Sequence, residues 1–176
     1  MVALFLLLGC DPAPEDIAKA VGSENPVMRE DGAKIAQNYD DPVVVEALVK
    51  VLSDPSEKVR LAAIESLAEL EATAAVPALI DSLNGDPSPK VKRAAADALG
   101  RLEAKEAVPD IIAYVEGFSP DDRGQLAGIW AIGYIGSNGL DPDLKKAALS
   151  TLVARREKST DKFIVFQANA ALRTLR

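Results

Sequence analysis

The sequence contains no histidine, and this absence restricts the chemistry that it can support. Histidine is the most common general base and metal ligand in proteins, and every Ser-His or Cys-His catalytic arrangement requires it. The single cysteine, Cys10, excludes an internal disulfide and a thiolate zinc site within one chain. We therefore expect no catalytic residues, no bound metal and no cofactor.

Basic residues are also scarce: 20 Lys and Arg stand against 27 Asp and Glu, for a formal charge of −7. Proteins that bind nucleic acid need clustered basic side chains, so a nucleic-acid partner is not expected. Aromatic residues make up only 5% of a chain that is 48% hydrophobic. A core of Ala, Leu, Val and Ile favours closely packed helices, and the length suits one domain.

The first nine residues are apolar and uncharged, and a polar, proline-bearing stretch follows them. Such a run is too short to span a membrane and is typical of an export signal. Leu7-Leu8-Gly9-Cys10 resembles the lipobox of bacterial lipoproteins, although no Lys or Arg precedes it. A start codon misplaced downstream of the true one would explain that departure. The resemblance implies cleavage before Cys10 and lipid attachment to its sulfur.

This interpretation divides the chain into a signal segment (1–9), a lipidated cysteine with a spacer (10–24) and a folded domain (25–176). It places the protein in the bacterial cell envelope, held at a membrane by the lipid on Cys10. In enterobacterial lipoproteins an aspartate at the position of Asp11 implies retention in the inner membrane. Other lineages sort their lipoproteins differently, so the choice between inner and outer membrane is left open. The alternative is that residues 2–8 form a buried strand or helical turn with Cys10 in the core.

An internal repeat indicates the architecture, because a shift of 32 residues places Asp54–Gly85 over Asp86–Gly117 with about half the positions identical. Within each copy the apolar residues recur at helical spacing and form two segments, which predicts a helix pair. Asp-Pro dipeptides at Asp41, Asp54, Asp86 and Asp141 are interpreted as helix starts, since Asp caps free amides and Pro fits the first turn.

Weaker copies extend the array on both sides. The predicted segments are Val27–Gln37 with Val43–Leu52, Leu126–Ile135 with Leu144–Leu152, and a last helix Lys162–Leu175. We therefore predict an all-α fold of about four helix pairs and a closing C-terminal helix.

The motifs Val59-Arg60, Ala62-Ala63 and Leu67, with counterparts at Val91-Lys92, Ala94-Ala95 and Leu99, resemble HEAT repeats of the short type known from phycobilisome lyases. The resemblance covers residues 25–176 and implies a right-handed α-solenoid with a concave surface formed by the second helices. It also implies that Arg60 and Lys92 are ladder residues, with Asp54 and Asp86 as their expected acidic partners.

Proteins with this fold are mainly scaffolds, so the function implied is a non-enzymatic, membrane-anchored scaffold or adaptor that binds a protein partner. Two alternatives stay open. One is a non-catalytic accessory subunit of an enzyme, as lyase-type HEAT subunits are, and the other is a structural spacer.

Two surfaces are candidates for the partner. Aligned second helices place Lys50, Asp81 and Tyr114 on one mixed ridge, where the alternative is an ordinary solvated surface. On a first helix, Leu126, Trp130 and Tyr134 form an apolar stripe where the better repeats carry charged residues. Exposed Trp and Tyr are typical of binding hot spots. The alternative is that the loop 136–142 or the closing helix covers the stripe.

Two further motifs invite chemical interpretations. Asp40-Asp41 and Asp121-Asp122 could bind a metal, but their positions before helix starts favour capping. Gly133, Gly136 and Gly139 do not follow a strand, as a phosphate loop would, and are predicted to end the helix at Ile135.

Overall fold

A computed structural model describes residues 12–175 of the chain, and the predicted lipidation site at Cys10 lies outside them. The described residues contain ten α-helices and no strand, with bounds α1 Pro14–Val21, α2 Pro26–Ala36, α3 Pro42–Lys50, α4 Glu57–Glu69, α5 Val76–Gly85, α6 Pro89–Arg101, α7 Val108–Glu116, α8 Leu126–Ser137, α9 Pro142–Lys158 and α10 Lys162–Thr174. From α2 onward they form the four predicted helix pairs and closing helix, and α1 is additional.

The chain divides into two compact units, and the division falls within α5, after Ala78. In the first unit α1 packs against α2 and α3. Ile17 and Val21 of α1 are fully buried, and Gly32 of α2 lies so close to α1 that an added Cβ would sit 2.8 Å from the backbone of Ala20. Residues 14–21, which the sequence assigned to the spacer, thus contribute to the core of this unit.

In the second unit α8 packs between α6 and α10. Ile129, Ile132 and Ile135 of α8 are fully buried. Gly133 approaches α10 closely, since an added Cβ would lie 2.7 Å from the Cβ of Ala171. The prediction that the glycines end this helix at Ile135 is wrong: α8 continues to Ser137, and Gly133 and Gly136 serve helix packing, while Gly139 takes a positive φ of 80° in the loop.

The predicted helix starts are correct at two of the four Asp-Pro dipeptides. Asp41 and Asp141 cap α3 and α9 through their carboxylates. The starts at Asp54 and Asp86 are wrong, because α4 and α6 begin at Glu57 and Pro89. Each of these carboxylates instead accepts a hydrogen bond from the amide two residues later, which holds the loop and delays the helix.

The repeat recurs in the backbone as well as in the sequence. Glu71 and Glu103, which are 32 residues apart, both have a positive φ, 50° and 53°. After each, an amide returns to the end of the first helix, from Ala72 to the Leu67 carbonyl and from Ala104 to the Leu99 carbonyl. Both first helices therefore end in the same left-handed turn, although a glycine would adopt it at lower cost.

Candidate protein-binding surface

The apolar stripe predicted on α8 lies at the surface of the second unit. Leu126 and Trp130 are half-buried, and Tyr134 is 44% exposed. The Trp130 and Tyr134 rings stack with centroids 5.1 Å apart and an interplanar angle of 24°. The closing helix α10 packs beside the stripe and leaves part of it exposed, most of all at Tyr134.

Trp130 is positioned by a glycine of the neighbouring repeat. A Cβ added to Gly100 of α6 would lie 2.6 Å from Cζ3 of the indole. The indole and Ala131 therefore lie in close contact with α6 at Gly100, and only a glycine at that position leaves room for them. The indole thus contacts α6 through Cζ3, and Tyr134 of the same helix stacks on the ring.

Two cavities flank Trp130, and both are within the second unit. The larger, of about 550 Å³, is lined by Lys90, Arg93, Ala94, Asp97, Leu126, Ala127, Trp130, Phe163 and Gln167. The smaller, of about 230 Å³, is lined by Trp130, Gly133, Tyr134, Ser137, Gln167, Ala170, Ala171 and Thr174. Since Trp130 and Gln167 line both, the two cavities form one groove along α8, which we call the Trp130 groove.

Phe163 at one end of the groove is 47% exposed. The Arg123 guanidinium lies over its ring at 5.6 Å from the centroid and forms an ion pair with Asp161, with 2.8 Å between Nε and Oδ2. This ion pair raises the pKa of Arg123 and lowers that of Asp161, in each case mainly through the hydrogen bond between them. The Phe163 ring is thereby held at the rim of the groove.

The loop before α8 is held by Gln125, which is fully buried. Its Nε2 donates to the carbonyls of Ser119, Pro120 and Asp122 at 2.9–3.1 Å, whereas its Oε1 is buried without a hydrogen-bond partner among the described residues. In the sequence register Gln125 occupies the position of Lys92 and Arg60. An uncharged side chain thus takes the ladder position in the repeat that carries the stripe.

Arg60, expected as a ladder residue with Asp54 and Asp86 as acidic partners, lies close to Asp54, and its charge contributes to lowering the pKa of that carboxylate. Arg60 Nη1 donates to the Asp54 backbone carbonyl at 2.8 Å, and the Asp54 carboxylate binds Arg29 of the preceding helix, with 2.5 Å between Nε and Oδ2. Burial alone would raise the pKa of Asp54, but the hydrogen bonds from Arg29 and from the Ser56 amide lower it. Lys92 Nζ, for its part, donates to the Asn84 carbonyl at 2.8 Å.

Asp121 connects two loops of the second unit rather than capping a helix, so the prediction for this residue is wrong, while Asp122 caps the short 3-10 helix Arg123–Gln125. The Asp121 carboxylate accepts hydrogen bonds from the Ser159 hydroxyl, from the amide and hydroxyl of Thr160 and from the Asp161 amide. These bonds, led by that from Ser159, lower the pKa of Asp121 to about 2. The loop before α10 is thereby fastened to the loop before α8.

The residues predicted on the second helices lie in different surroundings. Lys50 is exposed and pairs with Glu46 one turn away, and Asp81 is exposed. Tyr114 is half-buried, donates its hydroxyl to the Gly124 carbonyl at 2.9 Å and packs edge-on against Phe118. Burial raises the pKa of its phenol. Tyr114 therefore supports the loop before α8, and Lys50 and Asp81 remain solvated.

Sequence reasoning missed Phe163, Gln167 and Arg93 as neighbours of the stripe. The register of α10 against α8 could have identified the first two, because a shift of 37 residues places Phe163 on Leu126 and Gln167 on Trp130. Arg93 aligns with Leu126 in the repeat register, with a shift of 33 residues. The structure places the two side chains on the same cavity wall.

Within residues 12–175 no group of three or more His, Cys, Asp or Glu side chains is arranged to hold a metal ion. None of the described helices is both long and apolar enough to cross a membrane.

Comparison with known proteins identifies the fold. A family described as HEAT repeats matches residues 14–87 and 76–173. A structure of the complex of CpcE and CpcF of phycocyanin lyase from Nostoc sp. PCC7120 matches with a TM-score of 0.77 and 23% identity, covering 94% of this chain. The chain spans 65% of the length of that relative. No curated protein matches. The similarity confirms the HEAT-type solenoid fold predicted from the repeat.

Proposed function

We propose that this chain, which belongs to the HEAT-repeat family, is a scaffold that binds another protein through the Trp130 groove. The observation that carries the proposal is the half-open Trp130–Tyr134 stack, because the two corresponding positions of α4 are occupied by exposed glutamates, Glu65 and Glu69. Aromatic side chains that are rigidly held and partly exposed contribute large contact area with little loss of rotamer freedom.

The second part of the proposal is that the lipid on Cys10 tethers this scaffold to a bacterial membrane. It is supported by the sequence Leu7-Leu8-Gly9-Cys10 alone, and Asp11 favours the inner membrane. When the gene is expressed from its true start, the protein is expected in the membrane fraction with a diacylglyceryl thioether on Cys10. Replacement of Cys10 by Ala should release it or stop its processing. A soluble mature protein that keeps residues 1–9 would contradict the tether.

The proposal assigns no catalytic step to this chain. The groove is lined mainly by apolar, amide and hydroxyl groups, and its charged side chains, Lys90, Arg93 and Asp97, all lie in the wall of the larger cavity. A second candidate role is a non-catalytic accessory subunit of an enzyme. It is favoured by the fold similarity to a subunit complex of phycocyanin lyase. The two roles differ in one measurement: removal of an accessory subunit changes the activity of the enzyme that copurifies with it.

Site-specific photocrosslinking in the native cell tests the binding surface. A photoreactive amino acid at Tyr134 should crosslink to a partner protein, whereas the same amino acid at Asp81, which is also exposed in the second unit, should not. Replacement of Trp130 by Ala should abolish the crosslink from position 134 while circular dichroism shows a folded protein. Crosslinks that form only from position 81 would move the working surface to the second helices and contradict the proposal.

A further inference from the structure

The Trp130 groove has a length and a direction that restrict what it can hold. The nine residues from Leu126 to Tyr134 span about 12 Å along α8, which is slightly more than two helical turns. Phe163 and Gln167 of α10 line the same cavity as Leu126 and Trp130, and Ala171 lies against Gly133. The helices α8 and α10 are therefore parallel along the groove, with a cavity on each side of Trp130.

The charge along the groove is uneven. The larger cavity has Lys90 and Arg93 in its wall against one carboxylate, Asp97, whereas the smaller cavity ends in the hydroxyls of Ser137 and Thr174. Arg93 is exposed, and no carboxylate within residues 12–175 forms an ion pair with it. In a chain with a net charge of −7 this is a local basic end. A ligand with a negative charge at one end would complement it.

The surroundings favour a helical ligand over an extended one. The walls are helices, whose interior backbone groups already bond within each helix, so an extended segment would find no unpaired strand edge for its amides and carbonyls. A helix satisfies its own backbone and presents side chains one or two turns apart. The smaller cavity, of about 230 Å³, has room for an aliphatic side chain.

Resting on the proposed function, we infer that the segment of the partner protein that enters the Trp130 groove is an amphipathic α-helix. It places one apolar side chain in each cavity, on the two sides of Trp130, and a carboxylate beside Arg93. The other occupants of such a surface are a second copy of this chain and an anionic membrane. Neither accounts for both the two separate cavities and the basic charge at one end.

Synthetic peptides provide the probe, and Trp130, the only tryptophan, provides the signal. The test peptide is an Ala-rich helix of about 16 residues with two Leu residues seven positions apart and Glu at one end. The matched peptide has Lys in place of Glu, and a third is the test peptide with its Leu positions scrambled. In titrations of the full chain, the Glu peptide should shift the Trp130 emission and bind about tenfold more tightly than the other two.

Charge reversal tests the assignment of Arg93. Arg93→Glu should weaken the binding of the Glu peptide about tenfold and strengthen the binding of the Lys peptide. The control variant Lys146→Glu carries the same change of charge on an exposed position of α9 outside the groove, and it should bind as the unmodified chain does. Equal affinity for all three peptides, or an unchanged preference in Arg93→Glu, would overturn the inference.

Other outcomes separate the inference from the proposed function. If position 134 crosslinks to a partner but no peptide binds, the inference of a helical ligand is overturned and the scaffold proposal stands. If neither crosslinking nor peptide binding occurs, the inference and the scaffold proposal are both contradicted. A Trp130 shift that depends on protein concentration without peptide would assign the groove to a second copy. A shift with anionic lipid vesicles and none with the Glu peptide would assign it to a membrane.

Discussion

Helices α4 and α8 occupy equivalent positions in two repeats but differ on both faces. On the outer face, Glu65 and Glu69 of α4 correspond to Trp130 and Tyr134 of α8. On the packing face, Ala63 and Ala68 of α4 correspond to Gly128 and Gly133. Aromatic residues outside thus coincide with smaller residues inside, which indicates that α8 packs more closely while it presents an apolar surface. A repeat can therefore become a binding element without leaving the register of the fold.

The loops that precede the two helices also differ, in this case in their charged side chains. Before α4 the Asp54 carboxylate is held by a guanidinium, and Arg60 donates to the loop carbonyls. Before α8 the corresponding residues are Ser119 and Gln125, and both charges are absent together. The carbonyls of the loop before α8 are instead bonded by the uncharged amide of Gln125, so that loop is held without a buried charge.

The largest effect that we expect comes from removing the donors of Gln125. Gln125→Met keeps the volume but leaves the carbonyls of Ser119, Pro120 and Asp122 without their donor, so the second unit should lose about 2–3 kcal/mol of unfolding free energy. Urea denaturation followed by Trp130 fluorescence measures it. Gln37→Met, at an exposed position, is the control. Equal midpoints for the two variants would show that the amide does not hold the loop.

The close packing of α8 is tested by giving it the residue of α4. Gly133→Ala brings a Cβ within 2.7 Å of Ala171 Cβ and 2.8 Å of its Cα, so we expect a loss of about 2 kcal/mol. Gly85→Ala is the matched control, because no atom lies within 4 Å of its added Cβ. Thermal denaturation compares them. If Gly133→Ala is as stable as Gly85→Ala, the glycines of α8 are not required for packing.

Replacing the positive-φ glutamates in the turns that end α4 and α6 should increase the stability of the fold. Glu103→Gly relieves the positive φ of 53° and should raise the unfolding free energy by about 0.5–1 kcal/mol, and Glu71→Gly should do the same in the first unit. Glu157→Gly, within α9, should instead lower it by up to about 1 kcal/mol. Urea midpoints measure all three. A loss of stability in both turn variants would show that the glutamate side chains outweigh the backbone cost.

The smallest expected effect is that of the exposed Asp121 carboxylate. Because its pKa falls to about 2 in the folded chain, the ionised group stabilises the fold above about pH 4, and this contribution disappears as the pH falls toward 2. Asp121→Asn should therefore have a lower melting temperature than the unmodified protein at pH 7, and this difference should disappear near pH 2. Asp40→Asn removes the same charge at another exposed position, and it should not reproduce this dependence.

Much of the fold could be predicted from the sequence because the repeat is local. Each helix pair buries its own periodic apolar residues, so the segments found by spacing correspond to α2–α10 with small shifts. The predicted Leu144–Leu152 was too short because α9 runs to Lys158, through a charged segment in which Arg155 is buried and donates to the Phe118 carbonyl. Apolar periodicity could not detect that a charged side chain faces inward.

The candidate binding surface could be predicted only in part from the sequence. The stripe on α8 was found because the repeat register shows which positions should be polar. The groove depends in addition on how α10 and α6 lie against α8, and that arrangement is set by glycine contacts such as Gly100 with Trp130. A glycine in a sequence indicates either a helix end or a close approach of two helices. Only the structure distinguishes the two.

The similarity of the repeats at Asp54–Gly85 and Asp86–Gly117 has a consequence for how the chain folds. Two segments with nearly the same apolar pattern can each dock where the other belongs, and such misassembly is a characteristic failure of repeat proteins. The helix pair α8–α9 cannot be exchanged in this way, because its indole needs the cleft over Gly100 and the Asp121 carboxylate before α8 binds the loop before α10. We therefore expect α8 and its neighbours to fix the register from which the chain assembles correctly.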